Sequence, residues 1–390
     1  MKCVYSFIMR ILFRFSGILS LMLLLFVSVS VSAQSSKNKK HVIIGYVGGY
    51  RGLYDTAMVD AKKLTHINYA FVIIKNNRAY LEHEKTDTVN FRNLVKLKKI
   101  NPNLKLLISI GGWGGSHNFS DAVLTDTARE AFAASAVAIV KKYNFDGVDI
   151  DWEYPNDIGA GNIYRPEDKH NFTLMFQKLR LDLDTLEKQT GSKKLLTTAA
   201  GGFTRFLKLT EMGEASKYLD YVSLMTYDFA QDSLHIVLHH TNLFASKGYK
   251  TLCSADIAVH DFMAAGVPAD KLVVGVAFYG HTLAAADSQN MVLGAKTAPI
   301  RVRGGGGGYT FIKDSLINQK GYKYYRDKDA YAPYLYNADL KQFITFDDEW
   351  SVKNKCKYVN KNGLAGVMFW EYSSDRKEYL LKEINKDLTY

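Results

Sequence analysis

Cysteine, proline and long apolar runs are scarce in this chain of 390 residues, and each scarcity excludes a class of protein. Three cysteines, one of them at position 3, cannot form the framework of a disulfide-rich domain. Six prolines and glycines without a fixed period exclude a collagen-like chain. No apolar run of membrane-spanning length follows residue 31. With 47% hydrophobic and 23% charged residues, the composition indicates a folded globular protein.

The amino terminus has the pattern of a secretory signal. Lys2, Arg10 and Arg14 precede an apolar stretch over residues 18–31, and the small residues at 31–33 form a cleavage site. This pattern predicts a signal peptide over residues 1–33 and a secreted or periplasmic mature protein. The alternative is a membrane anchor, because the stretch and its flanks approach the roughly 17 residues that span a bilayer.

Positive charge is in modest excess and is spread along the chain. Cleavage after Ala33 removes three basic residues and lowers the formal net charge from +11 to +8. Because no basic stripe or nucleic-acid-binding module is present, we expect no nucleic-acid partner. We also expect no membrane attachment after cleavage and a monomeric protein. Whether Cys253 and Cys356 form a disulfide is left open by the sequence.

Eight short apolar runs alternate with helical patterns. Near-continuous apolar runs of this kind are typical of parallel strands covered on both faces. Periodicity alone leaves an open doubly wound sheet possible, but the count of eight favours closure, so we predict a (β/α)8 TIM barrel of the α/β class. The predicted strands are 41–47, 66–72, 104–110, 147–152, 195–200, 221–225, 272–278 and 364–370, and the clearest helices are 127–143, 168–188, 253–265 and 375–386.

The spacing between the last two predicted strands is too long for a plain loop. Their starts lie 92 residues apart, near 272 and 364. We therefore predict a small α+β insertion domain over residues 283–343, with the barrel formed by 34–282 and 344–390. Five consecutive glycines at 304–308 lack the following Gly-Lys-Ser/Thr of a phosphate-binding loop, which indicates a flexible turn.

Residues 146–155, DGVDIDWEYP, contain the strongest chemical signal. Side chains alternate along a strand, so Asp149, Asp151 and Glu153 point into the barrel while the apolar residues between them face the helices. Successive acids lie roughly 6–7 Å apart at the backbone. Because neighbouring carboxylates disfavour each other's charge, at least one proton is retained, and Glu153 becomes a candidate proton donor. Asp146 has the other parity and is assigned a structural role.

Three other interpretations of these acids are weaker. A calcium loop requires a glycine after the alternating acids, but Tyr154 follows Glu153. A magnesium site in a barrel usually takes its ligands from several strands. A charged surface edge does not suit the intervening Ile150 and Trp152. The acid–base interpretation is therefore preferred.

Taken together, the motifs are similar to those of glycoside hydrolase family 18, and the chain resembles a chitinase of that family. Residues 146–153 fit its D-x-x-D-x-D-x-E signature. The motifs SIGGW at 109–113, MTYD at 225–228, YG at 279–280 and WEY at 370–372 follow the third, sixth, seventh and eighth predicted strands. The excess before the eighth strand resembles the chitinase insertion domain. The resemblance covers nearly all of the mature chain.

This resemblance implies a retaining, substrate-assisted mechanism, in which the substrate's own N-acetyl carbonyl attacks the anomeric carbon and forms an oxazolinium ion. Glu153 is then the acid and base, Asp151 orients the acetamide group, and Asp149 holds Asp151. Tyr227 is implied as a hydrogen-bond donor to the acetamide oxygen, and Asp228 as a partner of nearby sugar groups. Trp370 is implied as the floor of the cleft, with further lining from Tyr46, Phe71, Gly112, Trp113, Met225 and Tyr279.

Two departures from the family pattern concern substrate affinity. A Trp is frequent a few residues after the Tyr-Asp pair, but residues 229–234 contain none, and His281 stands where Arg is frequent. No carbohydrate-binding module is appended, so the resemblance favours soluble chitooligosaccharides or loosened chains over crystalline chitin. His239 and His240 are adjacent and do not converge readily on one ion, so we expect no metal and no cofactor.

The sequence therefore predicts a secreted glycosidase that hydrolyses β-1,4 bonds between N-acetylglucosamine units of chitin or chitooligosaccharides. Two alternatives share the fold. A non-catalytic chitin-binding lectin typically lacks the acid, whereas Glu153 is present here. An endo-β-N-acetylglucosaminidase acting on N-glycans is disfavoured by the insertion, which deepens the groove along a linear polymer.

Overall fold

A computed structural model describes residues 40–230, 235–286, 292–298 and 306–388. The predicted signal peptide, residues 1–33, lies outside them, as do the first two of the five glycines. From His41 onward the chain forms one compact unit. Cys253 and Cys356 carry free thiols. None of the helices in the described residues is long and apolar enough to cross a bilayer.

The described residues contain fourteen β-strands and ten α-helices. The strands are β1 (Val42–Gly48), β2 (His66–Lys75), β3 (Arg78–Tyr80), β4 (Lys105–Gly111), β5 (Gly147–Asp151), β6 (Leu195–Gly201), β7 (Tyr221–Met225), β8 (Leu272–Ala277), β9 (Gly280–Ala285), β10 (Thr297–Ala298), β11 (Lys323–Asp327), β12 (Ala332–Asn337), β13 (Gln342–Phe346) and β14 (Gly366–Trp370). The helices are α1 (Glu84–Lys96), α2 (Phe119–Ala122), α3 (Asp126–Tyr143), α4 (Asp168–Thr190), α5 (Thr204–Leu209), α6 (Met212–Ala215), α7 (Ala255–Ala264), α8 (Tyr309–Ser315), α9 (Glu349–Lys361) and α10 (Tyr379–Asp387).

Eight parallel strands close into a barrel. Their order is β1-β14-β8-β7-β6-β5-β4-β2, and β2 pairs with β1 to complete the ring. The short β3 extends one edge by pairing antiparallel to β2. The predicted (β/α)8 barrel is confirmed, and the open doubly wound sheet is wrong. Because all eight strands run the same way, their carboxyl ends meet at one face, where barrel enzymes carry their active sites.

The apolar core has two layers, one on each side of the barrel wall. Inside the barrel lies a small cluster that includes Ile44, Met225 and Met368. Between the strands and the helices lies a much larger cluster. Trp152 belongs to the outer layer, where its ring stacks on Phe119 with centroids 4.9 Å apart. The alternation predicted along β5 therefore places its acids on the inner face.

Local capping explains where the helices begin. The Ser254 side chain accepts a hydrogen bond from Ile257 N, so α7 starts at residue 255 instead of the predicted 253. The predicted start of the last helix, residue 375, was four residues too early. The Asp375 carboxylate accepts hydrogen bonds from the amides of Tyr379 and Leu380, so this acid precedes the helix as its cap.

A second, antiparallel sheet lies between β8 and β14. Its order is β10-β9-β13-β12-β11, and α8 lies between β10 and β11. The sheet begins at Gly280 and ends at Phe346, three residues outside each of the predicted bounds, 283 and 343. Tyr325, Tyr334 and Phe343 stack across β11, β12 and β13 with centroids 5.2 and 5.0 Å apart. That this segment is an insertion domain stays a prediction.

Candidate active site

Asp149 is the innermost acid on β5 and is fully buried. Its Oδ2 accepts hydrogen bonds from the Tyr46 hydroxyl and from Ser109 Oγ, each at 2.8 Å. Its Oδ1 accepts one from Thr197 Oγ1 at 2.6 Å. Burial raises the pKa of Asp149, and these hydroxyl donors offset part of that rise. Side chains from β1, β4 and β6 thus hold this carboxyl in one orientation.

Asp151, one step nearer the carboxyl end, has fewer partners. Its side chain is buried, and its Oδ1 has no hydrogen-bond partner among the described residues. Burial raises the pKa of Asp151 well above its usual value, and the charges of Glu153 and Asp149 add to the effect. A buried carboxyl whose oxygen has no hydrogen-bond partner is suited to accept a hydrogen bond from a ligand or to hold a proton.

Glu153 follows β5 at the carboxyl end of the barrel and is half-buried. Burial raises its pKa to about 7, and the charge of Asp228 adds to the rise. A carboxyl with this pKa holds its proton near neutral pH and can later release it, as a general acid and base must.

The loop after β4 positions the backbone of Glu153. Ser116 Oγ accepts a hydrogen bond from Glu153 N at 2.9 Å and approaches the carbonyls of Gly112 and Asp151 at 2.9 and 3.2 Å. Gly111 has φ of +114°, and a Cβ there would lie 2.1 Å from Asp151 O. A glycine at 111 is therefore required by its positive φ and by close backbone contact with β5.

A second polar group lies after β7 and is formed around Asp228. Its Oδ1 accepts hydrogen bonds from the Tyr279 hydroxyl at 2.5 Å and from His281 Nε2 at 2.7 Å. His240 Nδ1 lies 3.6 Å from the same oxygen. Partial desolvation alone would raise the pKa of Asp228, but the two imidazoles hold it below its usual value. This carboxylate is therefore ionised at neutral pH.

Tyr227 lies beside this group, with its ring centroid 6.2 Å from that of Tyr279. Its hydroxyl lies 3.6 Å from Met368 Sδ, a weak contact that leaves the group available to a stronger acceptor. Burial raises the pKa of Tyr227, and the charge of Asp151 adds to the rise, so its hydroxyl remains a donor.

Three nearly parallel aromatic rings form one wall of the site. The ring of Trp370, at the end of β14, lies 5.6 Å from that of Phe71 and 6.3 Å from that of Tyr50, with interplanar angles of 17° and 12°. Tyr50 is 46% exposed. Arg51 donates a hydrogen bond to Glu371 at 2.9 Å and so ties the loop after β1 to the loop after β14.

The remaining predicted cleft residues lie at different depths. Trp113 is 56% exposed, whereas Tyr46 and Met225 are buried in the inner layer. Gly112 lies against the ring of Phe71, and a Cβ there would meet that ring at 2.5 Å. Because the Tyr46 hydroxyl is bound to Asp149, its position favours support of the carboxylates over an exposed contact. Substrate contact at Tyr46 and Met225 stays a prediction.

Metal-ligand side chains converge at one place in the described part of the chain. The possible ligand atoms of Asp228, His240 and His281 all lie within 4.8 Å of one another. The adjacent His239 turns elsewhere, since its Nε2 lies 3.2 Å from Asp327. The two adjacent imidazoles therefore face different carboxylates, which agrees with the expectation that His239 and His240 do not bind the same ion.

Sequence reasoning missed three contributors to the site. Ser116 follows the glycine motif, but nothing in the sequence indicated its bond to Glu153 N. Tyr50 was not singled out, although a Tyr two residues after the end of a barrel strand is a usable signal. His240 was noted only as half of a histidine pair, and its approach to Asp228 depends on the fold of the loop after β7.

The amino-acid sequence matches a known enzyme family and several of its members. The sequence profile of the glycosyl hydrolases family 18 matches residues 42–375. Chitinase A1 of Niallia circulans is 36% identical over 89% of this chain, which spans 58% of that protein's length. Endochitinase 1 of Metarhizium robertsii is 32% identical over 85% of this chain and 80% of its own.

The fold of this chain also matches solved structures of related enzymes. A family 18 N-acetylglucosaminidase from Paenibacillus barengoltzii superposes with a TM-score of 0.80 and 38% identity, over 90% of this chain and all of that one. The Group IV chitinase of Ostrinia furnacalis superposes with a TM-score of 0.80 and 27% identity, over 90% and 100% of the two chains.

Proposed function

This chain belongs to the glycosyl hydrolases family 18, and on that premise we propose that it hydrolyses β-1,4 bonds between N-acetylglucosamine units of chitin or chitooligosaccharides. The observation that carries the proposal is the row of acids on β5, which ends in a half-buried Glu153 with a pKa raised to about 7. We also propose that the protein is exported, which the sequence pattern of residues 1–33 supports, and that it acts as a monomer.

In the proposed first step, Glu153 gives its proton to the leaving glycosidic oxygen as the bond from that oxygen to the anomeric carbon breaks. The carbonyl oxygen of the substrate's N-acetyl group forms a new bond to the same carbon, which yields an oxazolinium ion and a Glu153 carboxylate. The raised pKa of Glu153 supports this role because the acid must be protonated when the substrate binds.

In the second step, the Glu153 carboxylate takes a proton from water, and the water oxygen bonds to the anomeric carbon. Because the carbon is attacked once by the acetamide and once by water, its configuration is retained. The protonated Glu153 is then restored. No metal or cofactor enters either step.

Asp151 and Tyr227 are proposed to hold the acetamide group. The unpartnered Asp151 Oδ1 is suited to accept the acetamide N–H, and in its ionised form Asp151 would offset the positive charge that develops on the oxazolinium ion. The Tyr227 hydroxyl, which has only a weak sulfur contact, is suited to donate to the acetamide oxygen. Asp149, bound by three hydroxyls, is proposed to hold Asp151 in position rather than to touch substrate.

Asp228 is the ionised carboxylate on the other side of Glu153, and its contacts argue against a nucleophilic role. The hydrogen bonds that it accepts from Tyr279 and His281 reduce its availability for attack on carbon. We propose that Asp228 binds sugar or acetamide groups. Trp370 is proposed as the surface on which the distorted sugar stacks.

One experiment with three substrates tests this function. We expect chitohexaose to be cleaved, its fully de-N-acetylated counterpart to resist cleavage, and a high-mannose glycopeptide to remain intact, as resolved by mass spectrometry of the products. Release of monosaccharide alone would match the activity named for the Paenibacillus barengoltzii neighbour. Equal cleavage of the de-N-acetylated chain would refute the assisted mechanism, and cleavage of the glycopeptide alone would refute the substrate assignment.

A further inference from the structure

The side chains of Asp228, His240 and His281, here called the Asp228 cluster, lie on three separate parts of the chain. Asp228 follows β7, His240 lies in the segment that leads to α7, and His281 is on β9. Asp228 Oδ1 is 2.7 Å from His281 Nε2 and 3.6 Å from His240 Nδ1. The two imidazole rings are 4.7 Å apart. Three potential ligand atoms thus surround one small volume.

His240 is the fixed member of the cluster. Its side chain is fully buried, its backbone amide donates a hydrogen bond to Thr345 Oγ1 at 3.1 Å, and its carbonyl accepts one from Phe229 N at 3.1 Å. The ring nitrogen that faces the cluster is Nδ1, which accepts a long hydrogen bond from Asp228 N at 3.4 Å, whereas the other nitrogen, Nε2, is buried with no hydrogen-bond partner among the described residues. His240 therefore presents Nδ1 to the cluster from a position that its backbone contacts hold in place.

The other two members retain freedom to adjust. The Asp228 side chain is 53% exposed and that of His281 is 35% exposed. Zinc bound by nitrogen and oxygen ligands has bond lengths of about 2.0–2.1 Å, so its ligand atoms lie roughly 3.3 Å apart in a tetrahedron. Small rotations of Asp228 and His281 would reach that separation, while His240 stays in place.

We propose that the Asp228 cluster binds a divalent transition-metal ion, Zn²⁺ in particular, and that the bound ion inhibits the enzyme. Two imidazole nitrogens and one carboxylate form a ligand set that favours zinc over calcium or magnesium. Three protein ligands leave the fourth position of a tetrahedral zinc ion open to water. On binding, the proton that His281 Nε2 donates to Asp228 is released to solvent or moves to Nδ1 of the same ring, and the hydrogen bonds from His281 to Asp228 and from Asp228 N to His240 give way to three metal–ligand bonds. No bond of the substrate and no redox change is involved.

Inhibition follows from the position of the cluster and rests on the function proposed above. The ion would bind the Asp228 carboxylate that we assign to sugar or acetamide groups. It would also place positive charge beside Glu153, whose proton is stabilised in part by the negative charge of Asp228. Both effects lower the rate, the first by competition with substrate and the second by loss of the acid's proton.

Titration of the full mature chain with ZnCl2 by isothermal titration calorimetry tests binding directly. We expect one site per chain. In His281→Arg, which removes one ligand and keeps a donor for Asp228, we expect affinity to fall by more than about 10-fold, because even outer-shell changes at metal sites cost that much. His281→Gln is the second variant, and circular dichroism verifies that each variant is folded.

His260→Gln is the matched control. His260 lies on α7 with its side chain 64% exposed and 3.4 Å from Asp256, so it represents an ordinary surface His–Asp pair. We expect this variant to bind zinc like the parent protein. Zinc binding that disappears in His260→Gln, or that persists unchanged in both His281 variants, would overturn the assignment.

Inhibition is measured separately, as the chitohexaose cleavage rate with and without ZnCl2 and after addition of EDTA. We expect zinc to slow the parent and His260→Gln, EDTA to restore the rate, and His281→Arg to need at least 10-fold more zinc for the same inhibition. Cleavage without zinc binding would refute the metal site alone. Zinc binding without any cleavage would refute the proposed function alone, and binding without inhibition would refute the regulatory part of the proposal.

Discussion

The row formed by Asp149, Asp151 and Glu153 contrasts with the single carboxyl of the Asp228 cluster, because their pKa values are shifted in opposite directions. In the row on β5, burial raises the pKa of Asp149, Asp151 and Glu153. In the Asp228 cluster, imidazole partners hold the pKa of the carboxyl below its usual value. The difference lies in the neighbours, since Asp151 has other acids beside it and an oxygen without a partner, whereas Asp228 has donors.

This contrast shows how one residue type supplies both a proton store and a fixed anion within one site. A buried carboxyl without cationic partners retains its proton because desolvation disfavours the charged form, and a carboxyl beside imidazoles loses it. The two groups are also coupled, because the charge of Asp228 raises the pKa of Glu153. Substitutions that alter only one of the two groups test whether the row supplies the proton and Asp228 supplies the fixed negative charge.

The largest effect is expected from Glu153→Gln. The amide preserves the shape of the side chain but carries no transferable proton, so we expect kcat to fall by about 10³-fold, within the range for loss of a general acid–base group. Binding of chitohexaose should persist. The measurements are steady-state kinetics and calorimetric binding.

Glu130→Gln is the control for that substitution, because Glu130 is 71% exposed on α3, on an element that contributes no residue to the site described above. We expect its kcat to equal that of the parent. A Glu153→Gln enzyme that kept a tenth of the parent kcat would show that the proton comes from another group.

A smaller effect is expected on pH dependence from Asp228→Asn. The parent rate should fall as pH rises through about 7, because Glu153 must be protonated to act and its pKa is raised to about 7. Removing the Asp228 charge lowers the pKa of Glu153, so the alkaline decline of kcat/KM should move to lower pH, by up to about one unit. Asp329→Asn is the control, because the Asp329 side chain is 48% exposed and pairs with Lys247 at the surface. It should leave the pH profile unchanged. An alkaline decline that stayed in place in Asp228→Asn would mean that the two groups are independent.

The smallest effect concerns how the row is held. Ser116→Ala removes the acceptor of the Glu153 amide and should lower the free energy of unfolding by about 1–3 kcal/mol, because a buried amide loses its partner. Ser223 is equally buried, but its Oγ has no hydrogen-bond partner among the described residues. Ser223→Ala should therefore change stability by less than about 0.5 kcal/mol. Urea denaturation compares the two, and equal losses would contradict the role given to Ser116.

The barrel and the acid row were predictable because they depend on local periodicity. Alternating acids place Asp149, Asp151 and Glu153 on one face of any strand with that sequence, whatever surrounds it. The first turn of the last helix was not predictable in the same way. Asp375 has a side chain that suits either a helix interior or a cap, and the contacts of its carboxylate decided for the cap.

Depth within the barrel was also beyond the sequence. Tyr46 and Trp113 were both predicted to line the cleft, yet the first is buried against Asp149 and the second is 56% exposed. Tyr46 lies within β1 and Trp113 follows β4, and the sequence of either segment does not tell how deep its aromatic ring lies. The depth of an inward-facing side chain below the carboxyl end of the barrel depends on how neighbouring strands are staggered. The sequence of one strand does not specify that stagger.

The sequence alone determined which strands form the wall, which acids face inward and where the polypeptide departs from the plain barrel, because each is a property of neighbouring residues. Only the tertiary structure decided the protonation contrast. His240 and His281 stand 12 and 53 positions from Asp228 in the chain. They reach its carboxylate because the loop after β7 and the strand β9 fold back over the same end of the barrel, and electrostatic interaction depends on distance in space rather than along the chain.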